Sequence, residues 1–237
     1  MKLLAIETCT EACSAAVYTD GDVVERYQIA ARQHNELILP MAEQVLAEAQ
    51  ISLSQLDGIA FGCGPGAFTG VRICVEVSQA IAFAHDLPLL GISSLANLAA
   101  QVSLQQSLPS TQQKQQVCAA IDARMGEIYY GHYVTAPNAV PLLVAAEQVI
   151  AAEQLNIETA HFDYGVGTGW QSDAESLILK TGVKPEAIDA AALPRASVTA
   201  RLAAMQWQDA PLLQAEQAQP VYLRNTVVHQ KTTKSKA

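Results

Sequence analysis

Gly58-Ile59-Ala60-Phe61-Gly62-Cys63-Gly64-Pro65-Gly66-Ala67-Phe68-Thr69-Gly70 carries a short apolar run into a glycine-rich turn, and Val71-Arg72-Ile73-Cys74-Val75-Glu76-Val77 continues it at helical spacing. The apolar run predicts a buried strand over Gly58 to Cys63. A helix is expected to open from the turn and run to about Ala84. A strand, several glycines and a helix start together present backbone N–H groups to an anion. No Lys-Ser/Thr pair follows the last glycine, where a nucleotide-binding P-loop carries one; Val71-Arg72 stands there instead. A tight structural turn and a phosphate cradle both fit this spacing.

The helix after the turn has two apolar stripes. Ile73, Val77, Ala80 and Ala84 form one; Val71, Val75, Ser78 and Ala82, with Cys74 beside them, form the other, and only Arg72, Glu76 and Gln79 interrupt the circumference. A helix apolar around most of its girth needs cover on both sides. That cover comes either from the same lobe or from a partner, and small side chains allow a second helix to approach closely.

Upstream, Leu3 to Glu7, Ser14 to Tyr18 and Val23 to Ala31 read as three strands, with Thr19-Asp20-Gly21-Asp22 turning the second into the third. Leu37, Ile38, Met41, Ala42, Val45, Leu46 and Ala49 repeat at helical spacing over about His34 to Gln50. Downstream, Leu89 to Ile92 predicts a further strand, and Ser93 or Ser94 is placed to cap a helix over Leu95 to Leu104. The series βββαβαβα and its mixed sheet are the layout of one lobe of the actin/Hsp70 class (ASKHA, ribonuclease H-like).

Gln105 to Gln116 is polar and aperiodic and is expected to be a surface loop between lobes. Beyond it a hairpin is expected over Val117 to Asp122 and Ile128 to Val134, so the strand-first pattern starts again. The domain expectation is therefore an N-terminal lobe over 1–104 and a C-terminal lobe over 117–226, with the C-terminal segment free to return to the first. Helices are expected near Ala145 to Gln154, Ser172 to Lys180 and Ala196 to Trp207, a strand near Phe162 to Val166, and a flexible basic tail over 227–237.

The 237 residues are half hydrophobic, enough for a sizeable core, and carry a formal net charge of −9. A surface that grips nucleic acid by itself needs concentrated basic charge, so contact with tRNA is expected only through another subunit. No apolar run reaches about 18 residues, and Glu7 comes too early for a secretory leader; a cytoplasmic protein with no membrane contact is expected. The five cysteines include no Cys-x-x-Cys pair and read as reduced structural thiols. No two of His34, His85, His132, His161 and His229 are three or four residues apart, so no metal site is expected. Ala120-Ile121-Asp122-Ala123-Arg124-Met125-Gly126-Glu127-Ile128 sets two carboxylates and an arginine around a turn. That group reads either as a salt-bridged hairpin tip or as a holder of a metal-nucleotide.

Leu4-Ala5-Ile6-Glu7-Thr8, the Gly64 to Ile73 stretch, Ala120 to Tyr129 and Pro220-Val221-Tyr222-Leu223-Arg224-Asn225 occur in an order and at spacings that resemble the TsaB (YeaZ) family across nearly the whole chain. The resemblance implies two actin/Hsp70-type lobes and a non-catalytic subunit that binds the transferase TsaD and, with it, the ATPase TsaE. TsaD transfers threonylcarbamoyl to the adenosine following the anticodon of tRNA. TsaD carries His-x-x-x-His after the strand that matches Leu89 to Ile92; the corresponding positions here are Ser94 and Leu98, which are not a metal-binding pair. Its late Asp-Asn motif has no clear counterpart in this chain. The resemblance also assigns the helix face of Val71, Arg72, Cys74, Val75, Ser78, Gln79 and Ala82 to partner binding, with a homodimer on the same surface when TsaD is absent. No tightly bound cofactor is implied; ATP or ADP at a complex interface stays open, with Thr8, Gly64, Gly66, Thr69 and Asp122 as the contacts to consider. The competing class is a nucleotide-dependent phosphotransferase or ATPase of the same fold, using Glu7, Thr8, Asp122 and the glycine turn. A peptidase reading lacks a nucleophile pair or metal ligands.

Overall fold

The computed structural model describes residues 1–105, 114–157 and 161–224. The tail expected over 227–237 and most of the loop expected over Gln105 to Gln116 lie outside the described residues.

Two five-stranded sheets organise the chain. In the first, β1 (Lys2–Glu7), β2 (Ala12–Thr19) and β3 (Asp22–Ile29) form an antiparallel meander, and β4 (Gly58–Gly64) and β5 (Leu89–Ser93) add in parallel on the other side of β1, giving the order β3-β2-β1-β4-β5. In the second, β6 (Gln115–Arg124), β7 (Glu127–Thr135) and β8 (Leu142–Ile150) form the meander and β9 (Tyr164–Val166) and β10 (Ile188–Asp189) the parallel extension. Its order, β10-β9-β6-β7-β8, repeats that of the first sheet strand for strand.

The helices are α1 (His34–Glu48), α2 (Phe68–His85), α3 (Ser94–Gln105), α4 (Gly169–Ser172), α5 (Ala174–Thr181) and α6 (Ala196–Gln206). Successive residues of a strand point to opposite faces, so each sheet needs two covers. In β1, Leu4 and Ile6 pack with Ile38, Met41 and Val45 of α1 and Val71, Cys74 and Val75 of α2, while Leu3 and Ala5 pack with Val198, Leu202 and Trp207 in and after α6. In β6, Val117, Ala119 and Ile121 meet Leu95 and Leu98 of α3, and Cys118 and Ala120 meet Trp170 and Leu177.

Packing therefore crosses the expected boundary twice. Helix α3, which falls in 1–104, covers the second sheet, and α6, which falls in 117–226, covers the first. The two helices meet between the sheets, where Asn97 Nδ2 donates to Thr199 Oγ1 at 2.9 Å and to the Arg195 carbonyl at 2.8 Å. After α6 the chain stays with the first sheet: Leu213 bridges to Leu89, and Val221 N donates to Cys63 O at 2.8 Å.

One element differs in kind from the sequence expectation. Ala145 to Gln154 was expected to be helical because Ala, Glu and Gln favour helix. Instead β8 pairs with β7, and only Ala152–Gln154 makes a short 3-10 turn. The exposed edge of β7 offers a full ladder of hydrogen bonds to this segment, and that pairing outweighs a weak helical propensity.

Candidate functional site

The glycine turn is shaped by close backbone approach. Ala67 N donates to Cys9 O at 2.7 Å, and a Cβ on Gly66 would lie 2.1 Å from that same carbonyl oxygen. A Cβ on Gly70 would lie 2.2 Å from Thr8 O, while Thr8 Oγ1, fully buried, donates to Gly70 O at 2.8 Å. The turn thus clamps the N-terminus of α2 onto the loop between β1 and β2. Of the residues considered for anion contact, Gly66 and Asp122 line the cleft between the lobes; Thr8 and Gly64 are buried behind it, and Thr69 is exposed on the first helical turn and does not line it. The turn makes the structural contact by itself, so the five residues do not converge on one ligand position.

Helix α2 separates its two stripes cleanly. Val71, Cys74, Val75, Ser78 and Ala82 are buried in the chain's own core, none more than 3% exposed. They cannot be the partner-binding face expected from the sequence: a side chain sealed against its own sheet is unavailable to another molecule. Of that expected set only Arg72 and Gln79 reach the surface, and both are engaged by the C-terminal segment, Arg72 Nε donating to Tyr222 Oη at 3.0 Å and Gln79 Nε2 to Ala218 O at 2.9 Å. The stripe left outward is the other one, with Ile73 and Val77 half-buried, Ala80 and Ala84 exposed, and Phe83 beside them 81% exposed.

The cleft has a volume of about 670 Å³. Phe68, Ile121, Tyr129, Val221 and Tyr222 give it apolar and aromatic walls. Phe68 and Tyr222 stack with ring centroids 5.5 Å apart, and the Arg72 guanidinium sits 4.0 Å over the Phe68 ring. Across the cleft, Arg124 at the β6–β7 turn bridges Glu11 of the first lobe at 3.2 Å and Asp122 at 2.9 Å. Arg224 pairs with Glu127 and donates to the Arg124 carbonyl at 3.4 Å. Arg124 and Met125 both adopt left-handed backbone, at φ 63° and 62°, which non-glycine residues take only when their surroundings impose it.

A second cross-lobe contact was not legible in the sequence. Glu147 of β8 accepts hydrogen bonds from Ser93 at the end of β5 and from Tyr133 of β7. Burial raises its pKa above the usual carboxylate value. Reading 145–154 as helix hid this residue, since only a strand aims it at Ser93.

Among the described residues one buried group has metal-type donors: Glu7, Cys9 and Cys74, whose ligand atoms lie within 4.8 Å of one another. Both thiols donate to backbone carbonyls, Cys9 to Gly62 at 3.3 Å and Cys74 to Ile6 at 3.2 Å. Burial raises the pKa of Glu7 and raises that of Cys9 well above its ordinary value, so the cluster favours protonated forms that suit a core rather than a cation. Cys63 is likewise pushed up to about 12 by burial, which leaves it a poor nucleophile at neutral pH. Ser94 and Leu98 are fully buried, and Leu98 packs against the second sheet.

Fold and cleft together define a two-lobed α/β protein of the actin/Hsp70 class. A family model described as "TsaD: tRNA N6-adenosine threonylcarbamoyltransferase" matches residues 21–160. The Escherichia coli (strain K12) protein "tRNA threonylcarbamoyladenosine biosynthesis protein TsaB" is 35% identical over 98% of both chains. The Haemophilus influenzae protein of that name is 36% identical over 98% of this chain and 97% of its own. The solved structure "YeaZ from Pseudomonas aeruginosa" superposes with a TM-score of 0.83 at 40% identity, covering 94% of this chain and 99% of that one. Within its class, the chain belongs to the TsaB (YeaZ) family, the branch of these TsaD-related proteins that its relatives represent.

Proposed function

We propose that this chain is a non-catalytic subunit in threonylcarbamoyladenosine biosynthesis, binding TsaD and, with it, TsaE, so that TsaD modifies the adenosine following the anticodon in tRNAs reading codons that begin with A. The observation that carries the reading is the outward stripe of α2: Ile73, Val77, Ala80, Phe83 and Ala84 form an uncovered face on a helix whose opposite side closes the core. An apolar helix face of small residues beside a large exposed aromatic suits helix-to-helix docking. The same face serves a homodimer when TsaD is absent. The acidic balance leaves tRNA to the partner, and the cytoplasm is the compartment where that substrate resides. No helix among the described residues is long and apolar enough to cross a membrane. The non-catalytic role is supported by Ser94 and Leu98, which occupy the metal-binding positions of the catalytic relative and lie in the core, and by the shielded thiols described above.

The test is reconstitution of tRNA threonylcarbamoylation from purified TsaD and TsaE with and without this chain, with complex formation followed by gel filtration. Stable co-elution and chain-dependent modification are expected. Full modification without the chain, or no association with TsaD, defeats the reading.

A further inference from the structure

We infer that the cleft between the lobes is a binding site for a nucleoside without its phosphates. A volume of about 670 Å³ falls within the range of about 300 to 1,000 Å³ typical of small-molecule sites, and its mix of apolar wall and few polar groups is the composition such sites have. Phe68, Tyr129 and Tyr222 offer aromatic surface on which a planar base stacks. Glu11 and Asp122 offer carboxylates, the groups that accept hydrogen bonds from ribose hydroxyls. Thr168 Oγ1 accepts from Asp122 N at 3.1 Å and retains its own proton to donate.

The charges decide against a polyphosphate. Both cationic side chains of the cleft are already paired, Arg124 with Glu11 and Asp122 and Arg224 with Glu127. A triphosphate here would meet two carboxylates and no unpaired cation among the described lining residues, and like charges at this range repel. The glycine turn does not compensate, since it is drawn against Cys9 O and Thr8 O. The inference is independent of partner docking, because the outward stripe of α2 lies outside the cleft.

The test is titration of the full chain with adenosine, 2′,3′-dideoxyadenosine and ATP, by calorimetry and ligand-observed NMR. Adenosine is expected to bind at least about tenfold more tightly than ATP, given two opposing carboxylates. The dideoxy compound, lacking the hydroxyls, is expected to bind more weakly than adenosine. Removing the stacking ring with Tyr222→Ala should weaken adenosine about fivefold or more. Asp122→Asn, which keeps the shape and removes one charge, should narrow the gap between ATP and adenosine. ATP binding more tightly than adenosine, no adenosine saturation at millimolar concentration, or equal affinities for adenosine and its dideoxy analogue would each overturn the inference.

Discussion

Placing the same substitution at Ala80 and at Ala82 separates an interface face from a core face on one helix. Two residues are about 200° apart around a helix, so these positions look in nearly opposite directions. Ala82 is 1% exposed and packed in the core of α1, α2 and the first sheet. Ala82→Arg forces a long side chain into that core, at a cost of about 1–3 kcal/mol for overpacking, and several kcal/mol more for an unpaired buried charge. The sum approaches the whole stability of a typical domain, about 5–15 kcal/mol, so this variant should be largely unfolded or aggregated. Ala80 is exposed, and Ala80→Arg should change stability by no more than about 0.5 kcal/mol. At a docked helix face, however, a bulky charge should weaken TsaD binding by about tenfold or more. Urea denaturation followed by tryptophan fluorescence measures the first effect, and gel filtration with TsaD the second. A folded Ala82→Arg protein that has lost only its partner, or an Ala80→Arg protein that binds undiminished, would refute the assignment of faces.

Gly70→Ala should destabilise by about 2 kcal/mol or more, measured by the same denaturation, because its Cβ would lie 2.2 Å from Thr8 O and backbone would have to move. Glu7 carries a raised pKa from burial, so the folded state holds its proton more firmly than the unfolded state. Stability from this group is complete below its unfolded pKa of about 4.5 and is lost as pH rises through the folded value, so Glu7→Gln should flatten that decline in denaturation curves taken from pH 4 upward. Glu11→Gln removes a salt bridge to an arginine side chain that is 73% exposed, and should cost less than about 1 kcal/mol globally. Hydrogen exchange should nonetheless quicken at the β6–β7 turn, where the bridge crosses the cleft; unchanged exchange would show that the bridge does not restrain the lobes.

The repeat of strand-first patterns made two lobes legible, because each meander begins with an apolar run and a hairpin turn that local chemistry specifies. The sequence reading fails over Ala145 to Gln154, where helical propensity and strand pairing conflict and pairing needs a neighbour far away in sequence. It fails again in the choice of stripe on α2. Both stripes are apolar, and spacing shows that two faces exist without saying which one the sheet covers. The glycine turn left two readings open for a related reason: glycine allows close approach, and only the structure shows that Cys9 O and Thr8 O are what approaches.

By itself the sequence determined the class of fold, the family, the helix on which function turns and the serine and leucine at the metal positions, since these follow from residue type and order along the chain. Tertiary structure decided which face of that helix is outside, that α3 and α6 each cover the other lobe's sheet, and that the arginines of the cleft are already paired. Those outcomes depend on contacts between residues up to about a hundred or more positions apart, such as Arg124 with Glu11, and no local pattern encodes a neighbour at that distance.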